Sequence, residues 1–182
     1  MEKSPGVITT KLHRGKTLYL APPLVELVDP LCRIEIAKAE AGEYGVQAAG
    51  VMAHLASAGK STTDDLKLEL GLEAGGYQRV RRLLESRGAI LSRSVAIEMA
   101  RGGHRHMSEI MRWDQVVDES SWNPDEALAQ LVGAVVDAAV LIPETEARRG
   151  LTWMVPKEVL ELSIDKGRVR RVSKDMLAAP ID

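Results

Sequence analysis

The pattern of apolar and polar positions is most informative between residues 61 and 113. Three hydroxyl residues followed by two aspartates predict the start of a short helix, and Gly71 is a natural end for it. From Tyr77 to Leu84 the apolar residues recur at the spacing of one helical face, and Gly88 follows as a C-terminal stop. The pattern therefore predicts two consecutive helices joined by a glycine-containing turn.

A hairpin is predicted directly after these helices. Residues 89–97 are rich in β-branched and aliphatic side chains, and residues 106–113 return with alternating apolar positions. Gly102 and Gly103 permit a tight reversal between the two strands. A further helix is predicted over residues 43–58. Three helices followed by a hairpin describe a winged helix, in which the last helix faces outward and the hairpin beside it forms a wing.

The second half of the chain repeats this order of predicted elements. Pro124 is typical of a helix start, and a wide apolar face predicts a long helix that stops at Pro143. A short helix, a helix that opens at Pro156 and a basic strand over residues 168–173 follow. We therefore predict a mainly helical α+β protein with tandem winged-helix units. The second unit is expected to be degenerate, because little chain remains after Asp175 for its hairpin.

These elements predict three segments. Residues 1–42 are expected to form a flexible lead-in, a strand near residues 17–20 and helical stretches that pack on the first unit, interrupted or kinked around Pro30. Residues 43–117 form the first winged helix. Residues 118–182 form the second winged-helix-like domain.

Composition favours a soluble globular protein. Hydrophobic residues make up 45% of the chain and charged residues 27%. No apolar run approaches the roughly 20 residues needed to cross a bilayer, and the first residues lack the apolar centre of a secretory signal. The single cysteine, Cys32, excludes an internal disulfide and favours a reducing compartment. We therefore expect a cytoplasmic protein without a membrane partner.

Charge is segregated along the chain, although the formal net charge is only −2. Residues 79–105 carry seven arginines against Glu85 and Glu98, whereas residues 109–146 are strongly acidic. Residues 148–174 form a second basic block. Such segregation suits the binding of one polyanion on one face. Alternatively, the blocks attract one another within the fold or within a dimer.

Two stretches of the sequence carry a family resemblance. The first is KSTTDDLKLELGLEAGGYQRVRRLLESRGAILSR with GGHRHMSEIMRW, and the second is DEALAQLVGAVVDAAVLIPETEARRGLTWMVPKEVLELSIDKGRVRRV. Together they cover over half the chain, and they resemble the winged-helix superfamily. Within it they are similar to the AlkZ/YcaQ-like DNA glycosylase-related proteins, which are built from tandem winged helices. The resemblance implies this fold and contact with DNA.

The catalytic motif of that family does not carry over to this chain. Its glycosylases use a Gln-x-Gln motif, whereas the glutamines here are isolated, at Gln47, Gln78, Gln115 and Gln130. Base excision is therefore not implied by the resemblance. We expect no catalytic residues.

Contact with duplex DNA is the leading interpretation of the first unit. Residues near the N-terminus of an outward recognition helix reach base edges, and phosphate contacts set the register of that helix. The residues expected at base edges are Tyr77, Gln78, Arg79 and Arg82. The residues expected at phosphates or a minor groove are Arg81 and Arg87 on the helix, Arg101, His104 and Arg105 at the wing tip, and Arg168, Arg170 and Arg171 in the second basic block.

Other chemistry has less support in the sequence. His104 and His106 would lie on one face of a strand, but no third ligand is evident nearby, so we expect no metal site. Cys32 lies in an apolar helical run and is expected to be a buried structural thiol. No HExxH, GxSxG or CxxC motif occurs, and no cofactor is expected.

We therefore predict a non-enzymatic DNA-binding protein with a regulatory or repair-associated role. The alternative is a protein–protein assembly module. The helix that starts at Pro124 and reaches Leu141 is apolar enough to offer a homodimer surface, although an ordinary core face explains the same pattern.

Overall fold

The computed structural model describes residues 6–13, 15–71, 73–98 and 103–180. The chain divides into two compact units. Unit 1 comprises the described parts of Met1–Pro22 and Cys32–Asp118, and unit 2 comprises those of Pro23–Leu31 and Glu119–Asp182. The sequence interpretation places residues 1–42 beside the first unit, whereas Pro23–Leu31 groups with unit 2. One reason is that the buried Asp29 carboxylate accepts a hydrogen bond from the Ser120 N–H at 2.9 Å.

Unit 1 begins with a hairpin that sequence analysis recognised only in part. Strand β1 (Ile8–His13) pairs antiparallel with β2 (Lys16–Leu20). The interpretation of this region as a flexible lead-in with a single strand is wrong for residues 8–13. Alternate side chains along β1 are more deeply buried, and Thr10 and Leu12 are the two buried ones.

Helix α1 (Pro22–Glu40) continues through Pro30, so an interruption of the helix there is wrong, and a kink at this residue stays a prediction. Proline removes one backbone donor from a helix and crowds the preceding turn, at a cost of about 3 kcal/mol. The residues on both sides of Pro30 are buried, including Val28, Leu31 and Cys32. Burial of this face offsets the local cost and keeps the helix continuous.

Among the described residues, a three-stranded sheet, three α-helices and the short 3-10 helix Trp113–Gln115 make up the rest of unit 1. The elements are α2 (Val46–Ala58), β3 (Ser61–Thr62), α3 (Thr63–Glu69), α4 (Ala74–Arg87), β4 (Ile90–Glu98) and β5 (His104–Arg112). The strand order is β3-β5-β4, and both pairings are antiparallel. The predicted helices and hairpin over residues 43–113 are therefore present as separate elements. Their core includes Met52, Leu55, Leu66, Leu84, Ile110 and Trp113.

Unit 2 contains the same order of elements as this part of unit 1. They are α5 (Pro124–Ala139), β6 (Leu141–Pro143), α6 (Glu144–Arg149), α7 (Lys157–Asp165), β7 (Arg170–Ser173) and β8 (Met176–Ala178). The strand order is β6-β8-β7. The chain after Asp175 is short, but its three strand residues suffice to complete the hairpin.

Local capping explains where the helices of unit 1 begin and end. Thr62 Oγ1 accepts from the Asp65 N–H at 3.2 Å, and the Asp65 carboxylate accepts from the Thr62 N–H at 3.1 Å. This capping box starts α3 at the predicted place. Gly88 ends α4 with φ of 81°, a conformation that favours glycine.

Within the described ranges, no helix combines the length and apolar character needed to traverse a membrane.

Candidate nucleic-acid interface

Helix α4 is anchored in unit 1 by an apolar face. Tyr77, Val80 and Leu84 are buried, and Tyr77 is only 1% exposed. The ammonium of Lys67 lies 5.9 Å from the centre of the Tyr77 ring, and burial raises the pKa of the Tyr77 hydroxyl. Tyr77 is therefore a core residue in this structure, and its predicted contact with a base edge does not fit this position. The spacing of Tyr77, Val80 and Leu84 along one helical face is the signal that identifies it.

A buried carboxylate fixes the same side of α4. Glu85 is 3% exposed and accepts hydrogen bonds from Lys11 Nζ at 2.8 Å, Arg81 Nε at 2.9 Å and Ser92 Oγ at 2.5 Å. Burial by itself raises the pKa of Glu85, but these three donors outweigh it and hold the pKa below its usual value. Arg81 is thus engaged inside the unit. To meet a phosphate, as predicted, it would have to leave Glu85.

The last turn of α4 is held by an aromatic ring. The Arg87 guanidinium lies 5.7 Å from the centre of the Tyr44 ring, within the range of a cation–π contact. The Tyr44 hydroxyl donates to the Glu35 carboxylate, which also accepts from Lys38 Nζ at 2.9 Å. Burial and this hydrogen bond raise the pKa of Tyr44. Arg87 therefore belongs to a packed network at the end of α4.

The outward face of α4 presents two arginines that have no partner among the described residues. Arg79 and Arg82 are exposed, and neither makes an ion pair or hydrogen bond with any residue that the structure describes. Gln78 lies beside them, half-buried. Residues three apart on a helix are neighbours on its surface, so the two guanidinium groups share one face.

The other described arginines of unit 1 all have partners within the unit. They are Arg33 with the Val117 carbonyl, Arg81 with Glu85, Arg87 with Tyr44, Arg93 with Glu109, Arg105 with Asp64, and Arg112 with Glu40 and Asp114. The sequence left open that the charged blocks attract one another within the fold, but it did not identify these partners. Most of these acids lie far from their arginines in the sequence.

The β4–β5 hairpin, which we call the wing, extends from the pair Ile90–Arg112 to the pair Glu98–His104. Its inner end is buried at Ile90, whereas His104 and Arg105 near the tip are exposed. Arg101, the remaining residue predicted at the tip, lies outside the described residues. The structure therefore places two of the three predicted tip residues at the surface.

All three described arginines of the wing are paired with acids, Arg112 with Glu40 and Asp114 as given above. Arg105 Nη2 lies 3.1 Å from Asp64 Oδ2, in the first turn of α3. Arg93 Nη2 lies 2.5 Å from Glu109 Oε2 on the neighbouring strand. Lys60 Nζ approaches the same Glu109 carboxylate at 3.5 Å. The wing is therefore much closer to neutral than its content of basic residues indicates.

Some of the basic residues of unit 2 are also engaged within that unit. Arg168 is half-buried against α5, where a Cβ on Gly133 would lie 3.0 Å from the Arg168 Cβ. Arg170 is exposed, but its Nε donates to the Ala179 carbonyl at 2.8 Å. Arg171 pairs with Glu144 at 3.0 Å and with Glu161 at 2.9 Å. Arg168 and Arg170 thus have less freedom to meet phosphates than Arg79 and Arg82.

The described residues contain no group of three His, Cys, Asp or Glu side chains that could hold a metal ion. His104 and His106 are both exposed on β5. Cys32 is fully buried, as predicted for a structural thiol.

Among known proteins, no family model matches the chain, and no curated protein matches it either.

Proposed function

We propose that unit 1 binds duplex DNA through the outward face of α4. The observation that carries this proposal is the pair of exposed arginines, Arg79 and Arg82, which have no partner among the described residues. A guanidinium group can donate two parallel hydrogen bonds to a phosphate or to the acceptor edge of guanine. Two such groups on one helical face suit a helix lying in a major groove.

The topology supports the same proposal. Helix α2, strand β3, helices α3 and α4 and the wing follow one another as in a winged helix, and β3 pairs with the second strand of the wing. In this interpretation α4 is the recognition helix. The repeated order in unit 2 supports tandem winged-helix units, and the AlkZ/YcaQ-like resemblance supports a regulatory or repair-associated role without base excision.

The two units contribute unequally to this proposal. The helix of unit 2 that occupies the same place in the order of elements is α7, and its exposed side chains include Glu158 and Asp165. These carboxylates would repel a phosphate backbone. We therefore assign the DNA contact to unit 1, with Arg79 and Arg82 as the principal contacts and Gln78 beside them.

The test is a titration of fluorescently labelled random duplex DNA with the whole chain at two salt concentrations. We expect the R79E/R82E variant to bind at least about tenfold more weakly than the wild type, because two cations at the phosphate backbone become anions. The matched control is R149E/K157E. It changes the net charge equally at two exposed residues of unit 2 that lie outside the proposed contact.

Three results distinguish the explanations. A large loss in R79E/R82E with little change in R149E/K157E supports recognition through α4. Equal losses in both variants indicate that only overall charge matters. Unchanged affinity in R79E/R82E refutes the proposal. Far-ultraviolet circular dichroism of each variant checks that the fold is retained.

A second function, assembly with another protein or with a second copy of this chain, is favoured by one observation. Val140 and Leu141 follow α5 and are 70% and 52% exposed. The main apolar stripe of α5 is buried within unit 2, at Leu128, Leu131, Val132 and Val136. A homodimer surface would therefore be restricted to the end of this helix. Sedimentation of the wild type and of V140S/L141S would detect such a dimer.

A further inference from the structure

The ion pair between the wing and α3 joins two exposed side chains. Arg105 and Asp64 retain 61% and 48% of their exposure, so water and salt reach both groups. Exposed ion pairs contribute little to stability and are readily exchanged. Arg105 can therefore leave Asp64 when a competing anion is offered at the wing.

Asp64 is not needed to cap the helix in which it lies. The capping box of α3 uses Thr62 and Asp65, and the Asp64 carboxylate takes no part in it. Among the described residues, the Asp64 carboxylate forms ion pairs with Arg105 at 3.1 Å and with Lys67 at 3.8 Å. Asp64 therefore pairs with two cationic side chains. One of them, Arg105, is the described arginine nearest the wing tip.

We propose that Asp64 is an internal competitor of the DNA phosphates. It occupies Arg105 in the free protein, so that DNA must displace a carboxylate before this arginine can contact the backbone. A carboxylate and a phosphate present similar pairs of oxygen acceptors to a guanidinium group, so each excludes the other. The contact lowers the affinity of unit 1 for any phosphate backbone. This inference rests on the proposed function of unit 1.

The consequence is a variant that binds DNA more tightly than the wild type. Asp64→Asn removes the charge, and we expect about two- to fivefold tighter binding of random duplex DNA, which corresponds to the usual range for an exposed ion pair. The released arginine adds one phosphate contact. Because the wild type makes this contact only in complexes in which DNA has displaced Asp64, the slope of log affinity against log salt should steepen by at most about 0.9 in Asp64→Asn.

A double-mutant cycle separates this effect from a general gain in positive charge. Glu69→Gln removes one negative charge from the same helix α3, at an exposed residue with no partner among those described. We expect it to change affinity less than Asp64→Asn. In the Arg105→Gln background, Asp64→Asn should lose most of its effect. The competition is refuted if D64N and E69Q give equal gains, or if the gain from D64N persists without Arg105.

The same titrations keep the two proposals apart. If R79E/R82E binds as well as the wild type while the D64N gain depends on Arg105, recognition through α4 is refuted and the role of Asp64 stands. If R79E/R82E loses binding but D64N gains nothing, recognition through α4 stands and the competition is refuted. If neither the wild type nor D64N binds at low salt, both proposals are refuted.

Discussion

Removal of the buried carboxylate at Glu85 should destabilise unit 1 more than any change to its exposed charges. Glu85→Ala deletes the acceptor of Lys11, Arg81 and Ser92. Breaking a buried ion pair typically costs about 3–5 kcal/mol, because a buried charge is left without compensation. The Lys11 side chain retains 36% of its exposure and the Arg81 side chain 14%, so both can turn partly to water. We therefore expect a loss of about 2–3 kcal/mol.

Urea denaturation at pH 7, followed by circular dichroism, measures this loss in the free energy of unfolding. Glu85→Gln keeps the shape of the side chain and one acceptor, so its cost should be smaller, about 1–2 kcal/mol. Glu69→Gln is the control at an exposed residue of α3 and should stay within about 0.5 kcal/mol of the wild type. A Glu85→Ala variant that is as stable as this control would refute the role given to the carboxylate.

The difference in unfolding free energy between the wild type and Glu85→Gln should depend on pH in one direction. Hydrogen bonds hold the pKa of Glu85 below its usual value in the folded state, so its carboxylate stabilises the fold above the unfolded-state pKa of about 4.3. This stabilisation is lost as the pH falls through the lower folded-state pKa. The difference in unfolding free energy between the wild type and Glu85→Gln should therefore shrink as the pH falls below about 4.3. A constant difference would contradict the assignment.

Three further substitutions test the geometry elsewhere, each by the same urea assay. Val140 has φ of 64°, which a β-branched side chain disfavours. Val140→Gly should therefore raise the free energy of unfolding by about 0.5–1 kcal/mol. A lower free energy of unfolding in this variant would contradict the backbone strain. A Cβ on Gly88 would lie 2.5 Å from Cys32 Sγ and 2.8 Å from Leu12 Cδ2. Gly88→Ala should therefore lower the free energy of unfolding by about 2–3 kcal/mol. An unchanged free energy of unfolding would exclude that close packing. Thr10 Oγ1 is buried without a hydrogen-bond partner among the described residues, so Thr10→Val should leave stability unchanged or raise it by about 1 kcal/mol; a clear loss would show that the hydroxyl is satisfied.

The elements of the fold that local signals specify could be predicted from the sequence. The capping residues Thr62 and Asp65 mark the start of α3, and Gly88 marks the end of α4. Both signals act within a few residues of the helix ends that they determine. The hairpin after α4 is specified in a similar way, by alternation in its strands and by glycine between them.

The elements that depend on distant contacts could not be predicted in this way. Strand β1 is stable because it pairs with β2 and packs against α4, where Lys11 reaches Glu85, 74 residues away. The continuity of α1 through Pro30 depends on burial of the residues around it. These distant contacts are not visible in the local pattern, so the sequence predicted a flexible lead-in and a helix that is interrupted or kinked.

The charge of the candidate interface also depends on distant contacts. The number of arginines in the sequence therefore overstates the positive charge available at the surface. The basic block around α4 and the wing contains many arginines, but three of them pair with Asp64, Glu85 and Glu109. If Arg79 and Arg82 are the free cations that meet phosphates, the slope of log affinity against log salt should be about −2, because each phosphate contact contributes about −0.9. All seven arginines of the block acting together would give a slope of about −6. The slope therefore reports how many arginines the fold leaves available for DNA.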